Sequence, residues 1–301
     1  VVAGKIAYFS DARIALFDSA GDLVWMSQYG VSGRTFWVEE VPSEGYVATG
    51  LSYPPSMREV NVLLLRVAVD GDTLWSRSYG VSAEDEVGFC VRELADGGFA
   101  ICGTRGWDTD ERMWILRTNE NGDTLWTRTI LEGCDTSCGE SLVVDYDGNI
   151  VAGGYGGILS EADLSMSLST SRGARPILAK LSPDGDLIWF RRYTEPYGDT
   201  RVWGLVAEPG GGYCFVTNLT YVGYPPGPAL TRVDADGDTL WIHDVSGQIM
   251  YSLDRTVEGG YVAAGYDGYS LEPIMLPHGK IVKLYPDGEE EWFGEAGSGF
   301  T

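Results

Sequence analysis

The chain has 301 residues, of which 44 are Asp or Glu and 21 are Lys or Arg, and its formal net charge at pH 7 is −23. This charge argues against nucleic acid and anionic membranes as partners, because both are bound through Lys and Arg. No apolar run approaches the roughly 20 residues that a membrane helix needs. Since a high net charge keeps an extracellular protein in solution, we expect a secreted or cell-surface protein.

The first residues already belong to a repeat. Residues 1–4, Val-Val-Ala-Gly, match residues 262–265, Val-Ala-Ala-Gly, which form the second strand of a later repeat. The chain also begins without a Met. We therefore expect that a leader or a longer N-terminal segment has been removed or lies outside this sequence.

A turn of the form Gly-Asp-x-x-Trp, or close to it, recurs along the chain. It occupies residues 21–25, 71–75, 122–126, 185–189, 237–241 and 288–292. The tryptophans are about 50 residues apart, with one longer gap before Trp189, and such a period indicates the blades of a propeller or a solenoid. We expect each indole to fill the space between neighbouring blades, where its burial contributes at most about 4 kcal/mol.

One complete repeat shows its strands in order. Runs rich in Val, Ile, Leu and Trp cover residues 86–94, 99–104, 112–118 and 124–130, and turn residues bound each run. The tight turn at 96–98, Asp-Gly-Gly, places glycine where a hairpin needs a positive φ. The sequence therefore predicts an all-β fold: a six-bladed β-propeller of four-stranded antiparallel blades, in a single domain spanning residues 1–301.

The first strand of the repeat occurs once less often than the other three, so one blade is expected to lack its inner strand. This leaves an open edge along Val2, Ala3, Gly4, Lys5, Ile6 and Ala7. Three explanations are open: the mature protein is longer than this sequence, a neighbouring molecule donates the strand, or the last blade has three strands. The second explanation predicts a subunit of a self-assembling extracellular filament or array, held together by strand addition.

Residues 96–103 read Asp-Gly-Gly-Phe-Ala-Ile-Cys-Gly, and residues 116–128 read Leu-Arg-Thr-Asn-Glu-Asn-Gly-Asp-Thr-Leu-Trp-Thr-Arg. These segments resemble the "DGGYIVAG … LIKLDxDGDTLW" repeats of secreted bacterial β-propeller proteins, and the resemblance covers nearly the whole chain. It implies a blade architecture and export to the cell surface. It implies no catalytic residues, because these proteins share blades rather than a reaction.

The cysteines suggest two disulfide pairs. Cys90 and Cys102 are expected on adjacent antiparallel strands with matching parity, and Cys134 and Cys138 share one loop. In an oxidising compartment these are the natural pairs, with Cys214 left over. The other interpretation is that all are small buried hydrophobic side chains. A zinc site is not expected, because neither histidine of the chain flanks a cysteine pair at ligand spacing.

The longer connections of each blade lie at the end of its strands opposite the two tight turns, and binding residues commonly collect on such loops. They combine aromatic and acidic side chains, a composition typical of protein contacts and of sugar stacking. The candidate ligand-binding residues are Trp107, Asp108, Asp110, Tyr221, Tyr224, Tyr266 and Tyr269. Further candidates on the same connections are Tyr53, Glu84, Asp85, Tyr155, Asp199 and Asp267. The other interpretation is that the tyrosines simply cover the ends of the blades.

These residues favour binding over catalysis. A glycosidase needs two carboxylates about 5 to 10 Å apart, and abundant acids make such a coincidence easy. We predict an extracellular binding or structural module, with copies of itself or another protein as the partner and carbohydrate as a further candidate. The alternative is a carbohydrate-active enzyme, a glycoside hydrolase or lyase that uses acidic residues at the long connections.

No cofactor is expected. Residues 234–238, Asp-Ala-Asp-Gly-Asp, have the oxygen density of a calcium loop, which makes Ca²⁺ the one candidate ion. The segment lacks the distal bidentate Glu of such loops, however, and it coincides with a turn that every blade shares. The turn is therefore the preferred explanation.

Overall fold

The computed structural model describes residues 2–4, 11–42, 44–54, 59–80, 84–106, 111–157, 174–193, 200–219, 227–267 and 278–296. These residues form 22 β-strands joined by turns, and none of them is assigned to a helix. Within these ranges there is accordingly no helix that is long and apolar enough to cross a membrane. The chain divides into two compact units, Val1–Leu142 and Val143–Thr301.

The first unit runs through the first ten strands into the eleventh. Its strands are β1 (Val2–Gly4), β2 (Asp11–Phe17), β3 (Leu23–Val41), β4 (Gly45–Ser52), β5 (Asn61–Val67), β6 (Thr73–Tyr79), β7 (Glu86–Glu93), β8 (Phe99–Arg105), β9 (Arg112–Thr118), β10 (Thr124–Ile130) and most of β11 (Thr136–Val144).

The second unit holds the remaining strands. They are β12 (Ile150–Gly157), β13 (Arg175–Leu181), β14 (Leu187–Arg192), β15 (Val202–Ala207), β16 (Tyr213–Leu219), β17 (Gly227–Val233), β18 (Thr239–Asp244), β19 (Ile249–Arg255), β20 (Tyr261–Asp267), β21 (His278–Leu284) and β22 (Glu290–Ala296).

The prediction of six blades is wrong, because the described strands form five sheets. One sheet has six strands in the order β1-β2-β3-β4-β5-β6, and the other four have four strands each. The reason is β3, which continues from Leu23 to Val41 and pairs first with β2 and then with β4. The strands that the sequence assigned to an incomplete sixth blade therefore extend the first blade. The fold is an all-β propeller type with five antiparallel blades, of which four have four strands and the first is extended by β1 and β2.

Burial follows the order of the strands within a blade. Every residue of β4 and of β12 is buried, and β5 and β13 are buried except at their first residue. The fourth strands β6 and β10 are largely exposed. A continuous apolar run of four to eight residues is the pattern of a strand buried on both faces, which explains why the middle strands read so clearly in the sequence.

The Gly-Asp turns receive the tryptophan of the preceding repeat. Gly71 has a φ of 90°, and a Cβ placed on it would lie 3.0 Å from the Trp25 ring. Gly122 has a φ of 79°, and its Cβ would lie 3.0 Å from the Trp75 ring. The same contact joins Gly237 to Trp189 and Gly288 to Trp241. Glycine is required at these turns both for the positive φ and for the space that the indole occupies.

Hydrogen bonds complete this contact. The Trp25 indole N–H donates to the carbonyl oxygen of Val69 at 3.1 Å, and the Tyr29 hydroxyl donates to that of Gly71 at 3.2 Å. In the second unit Trp189 donates to Ala235 and Tyr193 donates to Gly237, at 3.1 and 2.9 Å. Trp25, Trp75, Trp189 and Trp241 thus hold one repeat against the next. Trp292 is 48% exposed, so the expectation that every recurring indole is buried between blades does not hold for it.

Candidate functional site

The first strand of a blade carries a β-bulge whose extra residue is aromatic. In the second unit the pairing register shifts across Trp203 in β15 and across Tyr251 in β19. In the first unit it shifts across Phe36 in β3 and across Phe89 in β7. Bulges re-aim a side chain and are over-represented beside functional sites. An aromatic ring is therefore presented at the same position in each of these strands.

Trp203 and Tyr251 lie in a continuous row of side chains in the second unit. Their rings are 5.1 Å apart and nearly perpendicular, at 88°, and the Tyr251 ring is 5.9 Å from that of Tyr266. On the other side, the guanidinium of Arg201 lies 5.3 Å from the Trp203 ring and 4.6 Å from the Tyr155 ring. We call Tyr155, Arg201, Trp203, Tyr251 and Tyr266 the aromatic row.

The aromatic row lies at the ends of the strands that face the long connections. Tyr155 is near the end of β12, Arg201 immediately precedes β15, and Tyr266 is the penultimate residue of β20. The sequence analysis expected binding residues at this end of the blades. Two of its candidates, Tyr155 and Tyr266, are members of the row.

Burial differs along the row. Tyr155 is 3% exposed and Tyr251 is 46% exposed, with Trp203 and Tyr266 between these extremes. The buried Tyr155 ring supports one face of the Arg201 guanidinium, an arrangement that holds a cation in a fixed plane by cation–π attraction. The row can offer stacking surface, hydroxyl groups and one fixed positive charge to a ligand.

A charge pair continues from the row. Lys280 Nζ donates to Asp267 Oδ2 at 3.2 Å, and Asp267 directly follows Tyr266 in β20. The Lys280 side chain is buried and also lies 4.6 Å from the Phe293 ring. The carboxylate of Asp267 is therefore neutralised within the protein.

The first unit has a smaller counterpart. The rings of Phe36 and Phe89 are 5.5 Å apart with an interplanar angle of 38°, and Phe36 is 39% exposed. Both are bulge residues, as Trp203 and Tyr251 are. This pair carries no hydroxyl group, so it offers only apolar contact.

Two acidic residues at the long connections, Glu84 and Glu86, are engaged by arginines. Glu84 pairs with Arg105 and, at 3.2 Å, with Arg112, and the fully buried Glu86 lies 3.7 Å from Arg105. Burial would raise the pKa of Glu84, but the hydrogen bonds from Arg105 and Arg112 outweigh it and lower that pKa. A glycosidase needs one carboxyl whose pKa is raised, so that it can donate a proton. The pKa of Glu84 is instead lowered, which does not suit a proton donor.

Several predicted residues fall outside the described ranges. These are the binding candidates Trp107, Asp108, Asp110, Asp199, Tyr221, Tyr224 and Tyr269, and the edge residues Lys5, Ile6 and Ala7. Val2, Ala3 and Gly4 form β1, which is the terminal strand of its sheet and pairs with β2. The predicted open edge is thus placed at the margin of a sheet.

All five cysteines are buried. Cys90 lies directly opposite Cys102 in the register of β7 and β8, as the sequence indicated. The predicted disulfides Cys90–Cys102 and Cys134–Cys138 stay predictions.

The calcium candidate has the hydrogen bonds of a turn. Asp234 Oδ1 accepts the backbone N–H groups of Asp236 and Asp238 at 3.0 and 2.9 Å. Asp18 does the same for Ala20 and Asp22 in the first unit. Among the described residues, no group of three or more His, Cys, Asp or Glu side chains is placed to hold a metal ion.

A cleft of about 350 Å³ lies at the tight turns of the second unit. In its wall Lys180 Nζ is 2.9 Å from Asp145 Oδ2, and the Tyr213 hydroxyl donates to the same oxygen at 2.9 Å. Burial is the main cause that raises the pKa of Tyr213 to about 12. Because Asp145 also accepts the N–H groups of its own turn, its carboxylate is fully used by the fold.

Arg201, Trp203 and Tyr251 were missed because binding residues were sought only in the connections, whereas these lie in or next to first strands. A signal was present in the sequence. An aromatic residue occupies the same place in the first strand of four repeats, at Phe36, Phe89, Trp203 and Tyr251.

No protein-family model matches the chain, and no curated protein matches it. Among solved structures, a protein of unknown function from Dyadobacter fermentans is similar at 10% identity and a TM-score of 0.49, over 94% of this chain and 96% of that one. A β-xylosidase/α-arabinofuranosidase from a compost microbial metagenome is similar at 11% identity and a TM-score of 0.46, over 87% and 94%. A eukaryotic initiation factor is similar at 8% identity and a TM-score of 0.44. That match covers 97% of this chain, which spans 62% of the length of the initiation factor.

Proposed function

We propose that this protein is an extracellular or cell-surface binding module that associates with further copies of itself through the aromatic row. The observation that carries the proposal is the contact of Arg201, Trp203 and Tyr251, which belong to two neighbouring blades. Trp, Tyr and Arg dominate the binding energy at protein interfaces, where they cluster. A surface on which Trp203 contacts both Arg201 and Tyr251 suits a protein partner.

The row is also organised before any partner binds. Trp203 and Tyr251 project from bulges within strands, and Arg201 is held between two rings. Side chains that are already ordered lose less entropy on association, so more of the contact energy becomes affinity. Tyr251, at 46% exposed, has the largest area left to bury.

Charge sets a condition on this association. Copies that each carry −23 repel one another at long range. Association therefore relies on short-range contacts such as those of the row. It should strengthen with added salt, which at 0.1 M screens the repulsion between charges more than about 10 Å apart.

Strand addition at β1 is a second route to assembly. The strand Val2–Gly4 ends the order of its sheet, and in the described part of the chain it pairs with β2 alone. An edge strand with unpaired main-chain groups accepts another chain by continuing the ladder. This route depends on backbone rather than on side-chain identity, so the two routes respond to different substitutions.

A carbohydrate-active enzyme is the alternative, and Glu84 weighs against it. This acid is paired with two arginines, and its pKa is lowered rather than raised. A sugar ligand bound without reaction at the row would still be consistent with its stacking surface.

The experiment measures the mass of the purified protein by light scattering from low to high micromolar concentration, at 0.05 and 0.5 M salt. We expect concentration-dependent oligomers that are favoured at high salt. Trp203→Ala and Tyr251→Ala should each weaken association by about tenfold or more. Tyr146→Ala is the matched control, because Tyr146 is an exposed aromatic residue, 68% accessible, in a tight turn of the same unit.

Ala3→Pro separates the two routes, since proline removes a main-chain donor from β1. Oligomers that survive Trp203→Ala but are lost in Ala3→Pro would assign assembly to the strand edge. A monomer under all conditions would overturn self-association. Microscale thermophoresis of that monomer with soluble xylan and galactan would then test carbohydrate binding, with Trp203→Ala as the comparison.

A further inference from the structure

Cys90 and Cys102 face each other across two neighbouring strands of the first unit. They are directly opposite in the register of β7 and β8, and both are fully buried. Directly opposite residues of antiparallel strands have Cα atoms about 4.5 to 5.5 Å apart. A disulfide needs a Cα separation of about 4.4 to 6.8 Å, so the backbone already has the spacing for a bond.

The Cys90 thiol has a defined contact on its other side. Its Sγ lies 3.7 Å from the carbonyl oxygen of Leu142. The tight turn between β7 and β8 is what brings Cys90 opposite Cys102, because the register runs unbroken from Glu93↔Phe99 to Cys90↔Cys102 and shifts only beyond it, at Phe89. The pairing is therefore a product of local backbone geometry.

A third thiol stands next to this pair. Cys138 belongs to β11, and a Cβ on the adjacent Gly139 would lie 3.3 Å from the Cys102 Cβ. Cys138 is 3% exposed. It is therefore a buried thiol in the strand that packs against Cys102.

We propose that Cys90 and Cys102 form a cross-strand disulfide when the chain folds in an oxidising compartment. The oxidant is a small-molecule or protein disulfide. The Cys90 thiolate attacks one of its sulfurs and releases the first thiolate. The Cys102 thiolate then attacks the Cys90 sulfur of this mixed disulfide and releases the second. Two protein thiols become one disulfide, the oxidant is reduced to two thiols, and the two protons pass to them.

The environment of the two thiols fits these roles. Burial disfavours the Cys90 thiolate, but the hydrogen bond from Cys102 and the charge of Arg92 outweigh it and lower the Cys90 pKa. Burial raises the Cys102 pKa, and the Cys90 interaction adds to this. Cys90 is therefore the better attacking group, and Cys102 the group that completes the bond.

The test refolds the full-length chain with oxidised and reduced glutathione, then denatures it with N-ethylmaleimide and measures the intact mass. We expect three alkylated thiols in the oxidised protein and five after reduction, with peptide mapping that joins Cys90 to Cys102. Cys138→Ser should retain the cross-link, and Cys102→Ser should lose it. Reduction of the wild type should also lower the urea midpoint of unfolding.

Five alkylated thiols after oxidative refolding, or a cross-link mapped to Cys134 and Cys138, would overturn the proposal. In the cell, the disulfide relies on the extracellular location proposed above. Refolding tests the pairing itself, independently of location. A cross-link that forms on refolding but is missing from native material would count against that location alone.

Discussion

The hydroxyl of Tyr79 donates a 2.6 Å hydrogen bond to the carbonyl oxygen of Gly122, in the Gly-Asp turn of the following blade. The same turn is met by Trp75, whose ring approaches within 3.0 Å of the position of a Cβ on Gly122. Residues i and i+4 of a strand lie on one face, so β6 presents both rings to one turn. The recurring Gly-Asp-x-x-Trp pattern therefore describes a contact between successive repeats.

This contact predicts that Gly122→Ala is more damaging than Gly97→Ala. Both glycines have a φ of 79°, so both substitutions strain the backbone by about 1 to 2 kcal/mol. A Cβ on Gly97 would meet only Glu120, at 3.6 Å, whereas one on Gly122 would meet the Trp75 indole. Overpacking there should cost about 1 to 3 kcal/mol more, measured by urea unfolding.

A double-mutant cycle provides the control. In a Trp75→Ala background the extra loss from Gly122→Ala should shrink, because the indole is gone and only the flexible Arg77 side chain still lies 3.0 Å from that Cβ. Equal losses for both glycine substitutions in the wild-type background would show that the indole exerts no steric constraint on the turn.

Local features of this fold were predictable from sequence. The predicted runs 86–94, 99–104, 112–118 and 124–130 agree with β7 to β10 to within one residue. Turn glycines and continuous apolar runs act over a few residues, so they mark strand ends well. The number of blades depended instead on whether the chain breaks at residues 30–33 or continues through them as one strand, β3, that pairs with both β2 and β4. That pairing is a long-range property, which the local sequence of residues 30–33 does not encode.

The candidate site was harder to predict for a similar reason. Tyr155, Trp203 and Tyr251 are far apart in sequence and meet only because three blades place their ends together. The bulges that turn Trp203 and Tyr251 outward have no strong sequence signature, since any residue type can occupy the extra position. Loop composition therefore pointed to the ends of the strands at which the aromatic row lies, but it did not indicate the residues on the strands.

The pair Asp145–Lys180 predicts a pH-dependent contribution to stability. Burial would raise the Asp145 pKa, but hydrogen bonds from Lys180, Asn149 and Tyr213 lower it. The folded state then binds fewer protons than the unfolded state, so Asp145 stabilises the fold above its unfolded pKa of about 3.9. This contribution is lost as the pH falls through the lower folded pKa.

The measurement is the free energy of unfolding of the wild type and of Asp145→Asn between pH 2 and 7. The difference between them should be largest above about pH 4 and should shrink below it. Asp147→Asn, at an exposed position of the same turn, is the control and should give a small, flat difference. A pH-independent difference for Asp145→Asn would contradict the lowered pKa.

The Asn218 side chain joins two neighbouring blades. Asn218 lies in β16, the second strand of its blade, and Met250 lies in β19, the first strand of the next blade. Its Nδ2 donates to the Met250 carbonyl oxygen at 2.8 Å, and its Oδ1 accepts the Met250 N–H at 2.7 Å. Asn218 is only 7% exposed and Met250 is fully buried. Because the amide supplies one donor and one acceptor, no other side chain of this size satisfies both groups.

Asn218→Asp should therefore destabilise the second unit at pH 7 and recover in acid. The new carboxylate would face the Met250 carbonyl oxygen, so we expect a loss of about 2 to 4 kcal/mol and a raised pKa for the new carboxyl. A carboxyl whose pKa is raised by folding destabilises the folded state when the pH is above that raised pKa. The loss of stability becomes smaller as the pH falls through the raised pKa, because the carboxyl is then protonated. Urea unfolding at pH 7 and pH 4 should show Asn218→Asp approaching the wild type at pH 4, where a protonated carboxyl can donate in place of Nδ2. Asn218→Ala leaves both Met250 groups unpaired at any pH, so its free energy of unfolding should stay below that of the wild type by a constant amount. Parallel pH dependence of the two variants would mean that the Met250 contacts do not require a donor at this position.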